Sequence, residues 1–131
     1  MVRVVAAHDQ PLSARLLRSA LADQDAELVG IAGSAADAVR LVEELEPEVL
    51  LLDLGLRGAF DVLDALGDDP HLQVVALTAL DAAEERHRAA EAGVNAFIRA
   101  DAAPDQVAQA LQLLGHLGTA SAEEPGRANS S

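Results

Sequence analysis

The sequence predicts a three-layer, doubly wound α/β domain, a (βα)5 chain with a five-stranded parallel sheet and helices on both faces. Three observations carry this. Five short β-branched or Leu-rich runs recur along the chain, at residues 2–6, 28–32, 49–52, 74–77 and 96–98. Several of these are uniformly apolar instead of alternating, as strands covered on both faces must be. The segments between them place apolar residues at helical spacing. Alternating strand and helix signals in 131 residues describe one domain with a single sheet.

Each helix has its own stripe. The first is Leu12, Leu16, Leu17, Ala20 and Leu21, and Pro11 suits its opening turn. Ala38, Val39, Val42 and Leu45 form the second, with Ser34 placed as its N-cap. Phe60, Leu63 and Leu66 form the third. In the fourth, residues 82–92, the apolar face is mostly Ala, so thin packing is expected. Asp81 and Glu84 there fit a capping box, and Gly93 fits a stop. Pro104 opens the last helix, whose stripe is Val107, Ala110, Leu111 and Leu114. After Gly118 no large apolar residue follows, so the domain is placed at residues 1–117, with 118–131 a disordered tail or interdomain linker.

Composition narrows the function. A formal net charge of -13 argues against nucleic-acid binding through this domain's own surface, because phosphate neutralisation needs clustered Lys and Arg. With no Cys, disulfides and thiolate metal sites are excluded. The apolar start is too short for a signal peptide, and no run approaches the ~20 apolar residues of a membrane helix. A cytoplasmic location is expected.

In an open parallel sheet, ligands bind beyond the carboxyl ends of the strands. Reading those ends gives His8-Asp9 after the first strand, Asp53 after the third, Thr78 after the fourth and Arg99-Ala100 after the fifth. Carboxylates that share a rim repel one another unless a cation or a proton joins them. A small set of oxygen ligands suits Mg²⁺, which keeps several waters. A carboxylate beside such a cation can attack phosphorus. Asp53 before Leu-Gly is also what an ordinary turn asks for.

Four segments lie in order on those strand ends: "AHDQPL", "LLLDLGLRG", "VVALTALD" and "AGVNAFIRADAAPDQV". Together they resemble the receiver domain of bacterial two-component response regulators, a CheY-like fold, and look most like the NarL/LuxR-like subfamily. The resemblance implies Asp53 as phosphoacceptor. It implies Asp9, Asp53 and Gly55 as the Mg²⁺ site, and Thr78 with Phe97 as the switch pair. It implies a sensor histidine kinase as phosphoryl donor and a C-terminal output domain, such as a DNA-binding helix-turn-helix, as the controlled partner. Direct catalysis on a substrate is not implied.

Three positions depart from the family pattern. His8 stands where the first acid of the pair belongs, Ala100 where the Lys belongs, and Arg57 where Pro is usual. Losing the Lys removes a charge-assisted contact of roughly 1.5–3 kcal/mol. His8 weakens the metal site by one negative charge. Arg57 could supply part of the missing positive charge, whereas strand alternation turns Arg99 to the other face.

Three classes of function follow. One is a phospho-accepting receiver of a transcriptional regulator. Another is a phosphorylation-independent pseudo-receiver that acts as an interaction or homodimerisation module. The third is a cofactor-binding enzyme on a doubly wound fold, disfavoured by the lack of G-x-G-x-x-G and of a Walker A Lys. The fourth and last helices are the expected partner surfaces.

Overall fold

The structure, a computed structural model, describes residues 1–8, 14–79 and 83–123. The strands are β1 (Val2–Ala7), β2 (Ala26–Ala32), β3 (Val49–Asp53), β4 (Gln73–Thr78) and β5 (Ala96–Arg99). The helices are α1 (Ala14–Asp23), α2 (Ala35–Leu45), α3 (Ala59–Leu66), α4 (Ala83–Glu91) and α5 (Pro104–Glu123). All strand pairs are parallel, in the order β2-β1-β3-β4-β5. The (βα)5 architecture read from the sequence is the one observed.

Two cores lie on opposite faces of this sheet. Val5, Leu50, Leu52 and Val74 face α2 and α3, where Val62 and Leu63 complete the packing. Val4, Val49, Leu51 and Val75 face α1 and α5, meeting Leu17, Leu21 and Leu111. Val49 to Leu52 are all at most 4 % exposed, which is why that run is apolar without alternation.

The strands are a residue or two longer than their apolar runs. β3 includes Asp53 and β4 includes Thr78, because backbone pairing continues past the last apolar side chain: Asp53 pairs with Leu77, and Thr78 with Arg99. Between Val4 and Val5 the β1–β2 register shifts, so Val5 meets Gly30 and Val29 is the extra residue.

The helix signals divide into those met and those outside the described residues. Ser34 caps α2, its side chain accepting from the Asp37 N–H at 3.2 Å. α4 stops before Gly93, which adopts φ 111°. Pro104 opens α5. Leu12, Pro11 and Asp81 lie outside the described residues, and the capping box with them. α5 continues to Glu123, five residues beyond the change in composition at Gly118. One stripe is narrower than its spacing suggested: Leu16 is 60 % exposed on α1. α4 packs thinly, as its Ala-rich face predicts, and buries only Ala89. Arg88 of α4 does reach α3, its guanidinium 4.1 Å from the centre of the Phe60 ring. On α5, Val107, Ala108 and Leu111 are spent on the core, which leaves Leu113 as the exposed large apolar residue on its described outer side.

The carboxyl end of α2 is closed from a distance. Glu46 takes the left-handed conformation, φ 48°, that usually calls for Gly. From β1, Arg3 donates to the carbonyls of Leu45 at 2.7 Å and Glu46 at 3.2 Å. It therefore satisfies carbonyls the helix end leaves without intrahelical donors.

Candidate functional site

The site lies at the carboxyl ends of β1, β3 and β4. β3 is buried along its length and projects Asp53 from a rigid base, its side chain 20 % exposed. The loop that follows is held in place. The Gly55 N–H donates to Asp53 Oδ1 at 2.8 Å, and the Leu56 N–H to the Asp53 carbonyl at 3.0 Å. The Leu54 N–H bonds across to the Leu77 carbonyl at 3.1 Å. Asp53 is thus a turn former and a rim carboxylate at once, with one oxygen fixed by the turn.

The other oxygen faces β1. His8 Nε2 lies 3.3 Å from Asp53 Oδ2, and the imidazole is 25 % exposed. Strand register makes this contact: Ala7 pairs with Leu52, so the next residue of each strand meets across the rim. The His8 N–H donates to the Ala32 carbonyl at 2.9 Å, which anchors the residue at the end of β1.

Thr78 is 6 % exposed, the only buried polar side chain among the described residues. Its hydroxyl has a long contact to the Ala79 carbonyl, 3.5 Å. Phe97 is half-buried on the same face of the sheet, paired with Ala76, two residues before Thr78. The two switch candidates are therefore diagonal neighbours on adjacent strands.

The remaining candidates sit further out. Ala100 is exposed just past β5, its N–H donating to the Thr78 carbonyl at 2.9 Å. Arg99 turns away and pairs with Asp101 at 2.8 Å, as strand alternation required. Arg57 is exposed in the loop, and no ion pair with a described residue involves it. Asp9 lies outside the described residues. Among the described residues, no three of His, Asp and Glu gather closely enough to hold a metal ion. One carboxylate with one imidazole does not by itself make the oxygen-rich set that Mg²⁺ takes.

The chain was compared with known families and structures. The model of the response regulator receiver domain matches residues 4–112. The chain belongs to that family. This receiver is 32% identical over 114 residues to the nitrate/nitrite response regulator protein NarP of Escherichia coli (strain K12), covering 84% of this chain and 53% of the relative. It is 30% identical over 118 residues to the transcriptional regulatory protein YxjL of Bacillus subtilis (strain 168), covering 85% of this chain and 53% of that protein. The receiver thus spans about half the length of these relatives. Among solved structures, the receiver domain of a NarL regulator from Mycobacterium tuberculosis superposes with a TM-score of 0.78 at 26% identity, covering 88% of this chain and 96% of the other. A CheY-like receiver from Methanospirillum hungatei, 17% identical, shares the fold at TM-score 0.80 over 92% and 98% of the two chains. The NarL/LuxR-like resemblance seen in the sequence motifs agrees with these relatives. No described helix of the receiver is long and apolar enough to cross a membrane.

Proposed function

We propose that this receiver controls an output domain of a transcriptional regulator by accepting a phosphoryl group at Asp53, slowly, from a sensor histidine kinase. The observation that carries this is the aim of the Asp53 carboxylate. A buried strand and the Gly55 N–H hold one oxygen, while Oδ2 of the 20 % exposed side chain stands at the rim beside His8. Asp53 is the nucleophile, Thr78 the hydroxyl that follows the phosphoryl group, and Phe97 the aromatic coupled to it. A helix-turn-helix output domain, and self-association through the outer side of α5 near Leu113, complete the reading.

Mg²⁺, when bound, neutralises phosphoryl oxygens; Asp53 and Asp9 are the residues that would hold it, with the Gly55 carbonyl. Its affinity should be low, because His8 replaces a carboxylate. His8→Asp is expected to tighten Mg²⁺ binding about tenfold or more, followed by NMR shifts of the Gly55 amide during titration. Equal affinity in parent and variant would remove His8 as the reason for weak binding.

A second reading has one observation in its favour. His8 already engages Asp53 Oδ2, and no Lys stands at position 100. A phosphorylation-independent pseudo-receiver would look like this. Incubation with acetyl phosphate and Mg²⁺, followed by intact mass, separates the two: a phosphoryl adduct on Asp53 supports the first, none supports the second.

A further inference from the structure

α1 carries its charges the wrong way round for a helix on its own. Arg15 stands in its first turn and Asp23 is its last residue, with no acid in the first turn and no base in the last. The positive end of a helix dipole is the amino end, so both side chains oppose it. The same two charges suit a neighbouring helix that runs the other way, because each then lies beside a helix end of opposite sign. α5 packs beside α1, but it also follows a strand of the parallel sheet and runs in the same direction. Arg15, Arg18 and Asp23 are exposed, and no ion pair with a described residue involves them.

The outer face of α1 is complementary to itself when reversed. Leu17 and Leu21 are buried in the core, so the opposite face is centred on Ser19. Leu16 and Ala22 lie three residues to either side of Ser19, and Arg15 and Asp23 lie four to either side. All five are exposed. With a second α1 packed antiparallel and the two Ser19 residues at a twofold axis, Arg15 comes level with Asp23 of the second copy and Leu16 with its Ala22, each contact occurring twice. Three of the four large apolar side chains exposed among the described residues, Leu16, Ile31 and Leu113, belong to this side of the sheet. Charge points the same way. α1 has two Arg against one Asp, whereas α2, α3, α4 and α5 each carry more acids than bases. In a protein of net charge -13, two copies therefore repel least through α1.

We propose that the outer face of α1 is a homodimer contact, on which a second copy of this chain docks antiparallel with Arg15 of each copy paired to Asp23 of the other. This deepens the self-association read above and rests on it. One helix face with Leu113 beside it is a small interface, so the dimer should be weak, with a Kd on the order of 100 µM. Sedimentation equilibrium up to about 1 mM protein covers that range. Arg15→Glu and Asp23→Arg should each weaken association at least about fivefold, and the protein carrying both should return to within about twofold of the parent. Both exchanges agree with the dipole of α1 itself, so each variant should fold at least as stably as the parent. The chain has no Cys, so Ser19→Cys introduces a single thiol. With copper phenanthroline as oxidant it should form a disulfide-linked dimer, whereas Asp64→Cys, exposed on α3, should not. A parent protein that stays monomeric throughout overturns both this pairing and the self-association. A dimer that Leu113→Ser weakens but the charge exchanges leave unchanged overturns the α1 pairing alone. So does a double exchange that restores nothing, or Asp64→Cys cross-linking as well as Ser19→Cys.

Discussion

Incubated with acetyl phosphate and Mg²⁺, the parent protein is expected to gain one phosphoryl group slowly, and the Asp53→Asn variant none. In the parent, Oδ2 of Asp53 forms the bond to phosphorus while the bond from phosphorus to the acetate oxygen breaks and acetate leaves. Oδ1 does not compete, because the Gly55 N–H holds it at 2.8 Å. An Asn amide is nearly the same size, so the loop should keep its shape, but it offers no anionic oxygen. Circular dichroism of the variant should match the parent. Slow modification follows from Ala100. A Lys there would supply a charge-assisted contact of roughly 1.5–3 kcal/mol to the transferring group, about a ten- to hundredfold effect on rate. Ala100→Lys should recover part of that factor. Phosphoryl mass on the Asn variant would move the acceptor elsewhere. No mass on the parent at any time would leave the pseudo-receiver reading.

Gly67→Val is expected to destabilise the fold by on the order of 3 kcal/mol or more, read as a lower urea midpoint at unchanged slope. Gly67 ends α3 with ordinary helical angles, φ -65° and ψ -18°, so backbone freedom is not its purpose. Space is the reason. A Cβ at this position would run into the carbonyl oxygen of Ala92 and lie 2.7 Å from that of Leu63. Both obstacles are backbone, which cannot swing aside like a side-chain tip. Gly93, in the turn after α4, meets the Gly67 backbone from the other side and also requires φ 111°. Two glycines thus let two helix ends touch main chain to main chain. A Gly67→Val protein within about 0.5 kcal/mol of the parent would show that the contact opens without cost.

How far the sequence reveals this molecule depends on the range of the forces involved. Val49 to Leu52 announce a strand buried on both faces, and the acid that follows them announces a rim. Ser34, Gly93 and Pro104 act on their immediate neighbours, and their helix ends fall where expected. The αL turn at Glu46 was invisible because its partner Arg3 is 43 residues away. Leu16 fits a helical stripe by spacing, yet is exposed because α1 meets the core along a narrower line, at Leu17 and Leu21. The His8–Asp53 contact depends on the β1–β3 register, which uniformly apolar runs leave open, since neither face of such a strand is marked.

α4 buries one side chain, Ala89, and it meets α3 through one guanidinium–ring contact and the backbone approach of its end at Gly67 and Gly93. Seen through solvent exchange of amide protons, this makes α4 a separate rung. Its hydrogen bonds should open with a free energy well below that of global unfolding, whereas those of β1 and β3 should exchange only when the whole molecule unfolds. In deuterated buffer, amides from 87 to 91 should therefore lose their protons long before those of β3 do. Equal protection of the two would mean that α4 and the sheet form one cooperative unit. The receiver would otherwise carry a helix that can let go and return while the strands beneath it stay folded.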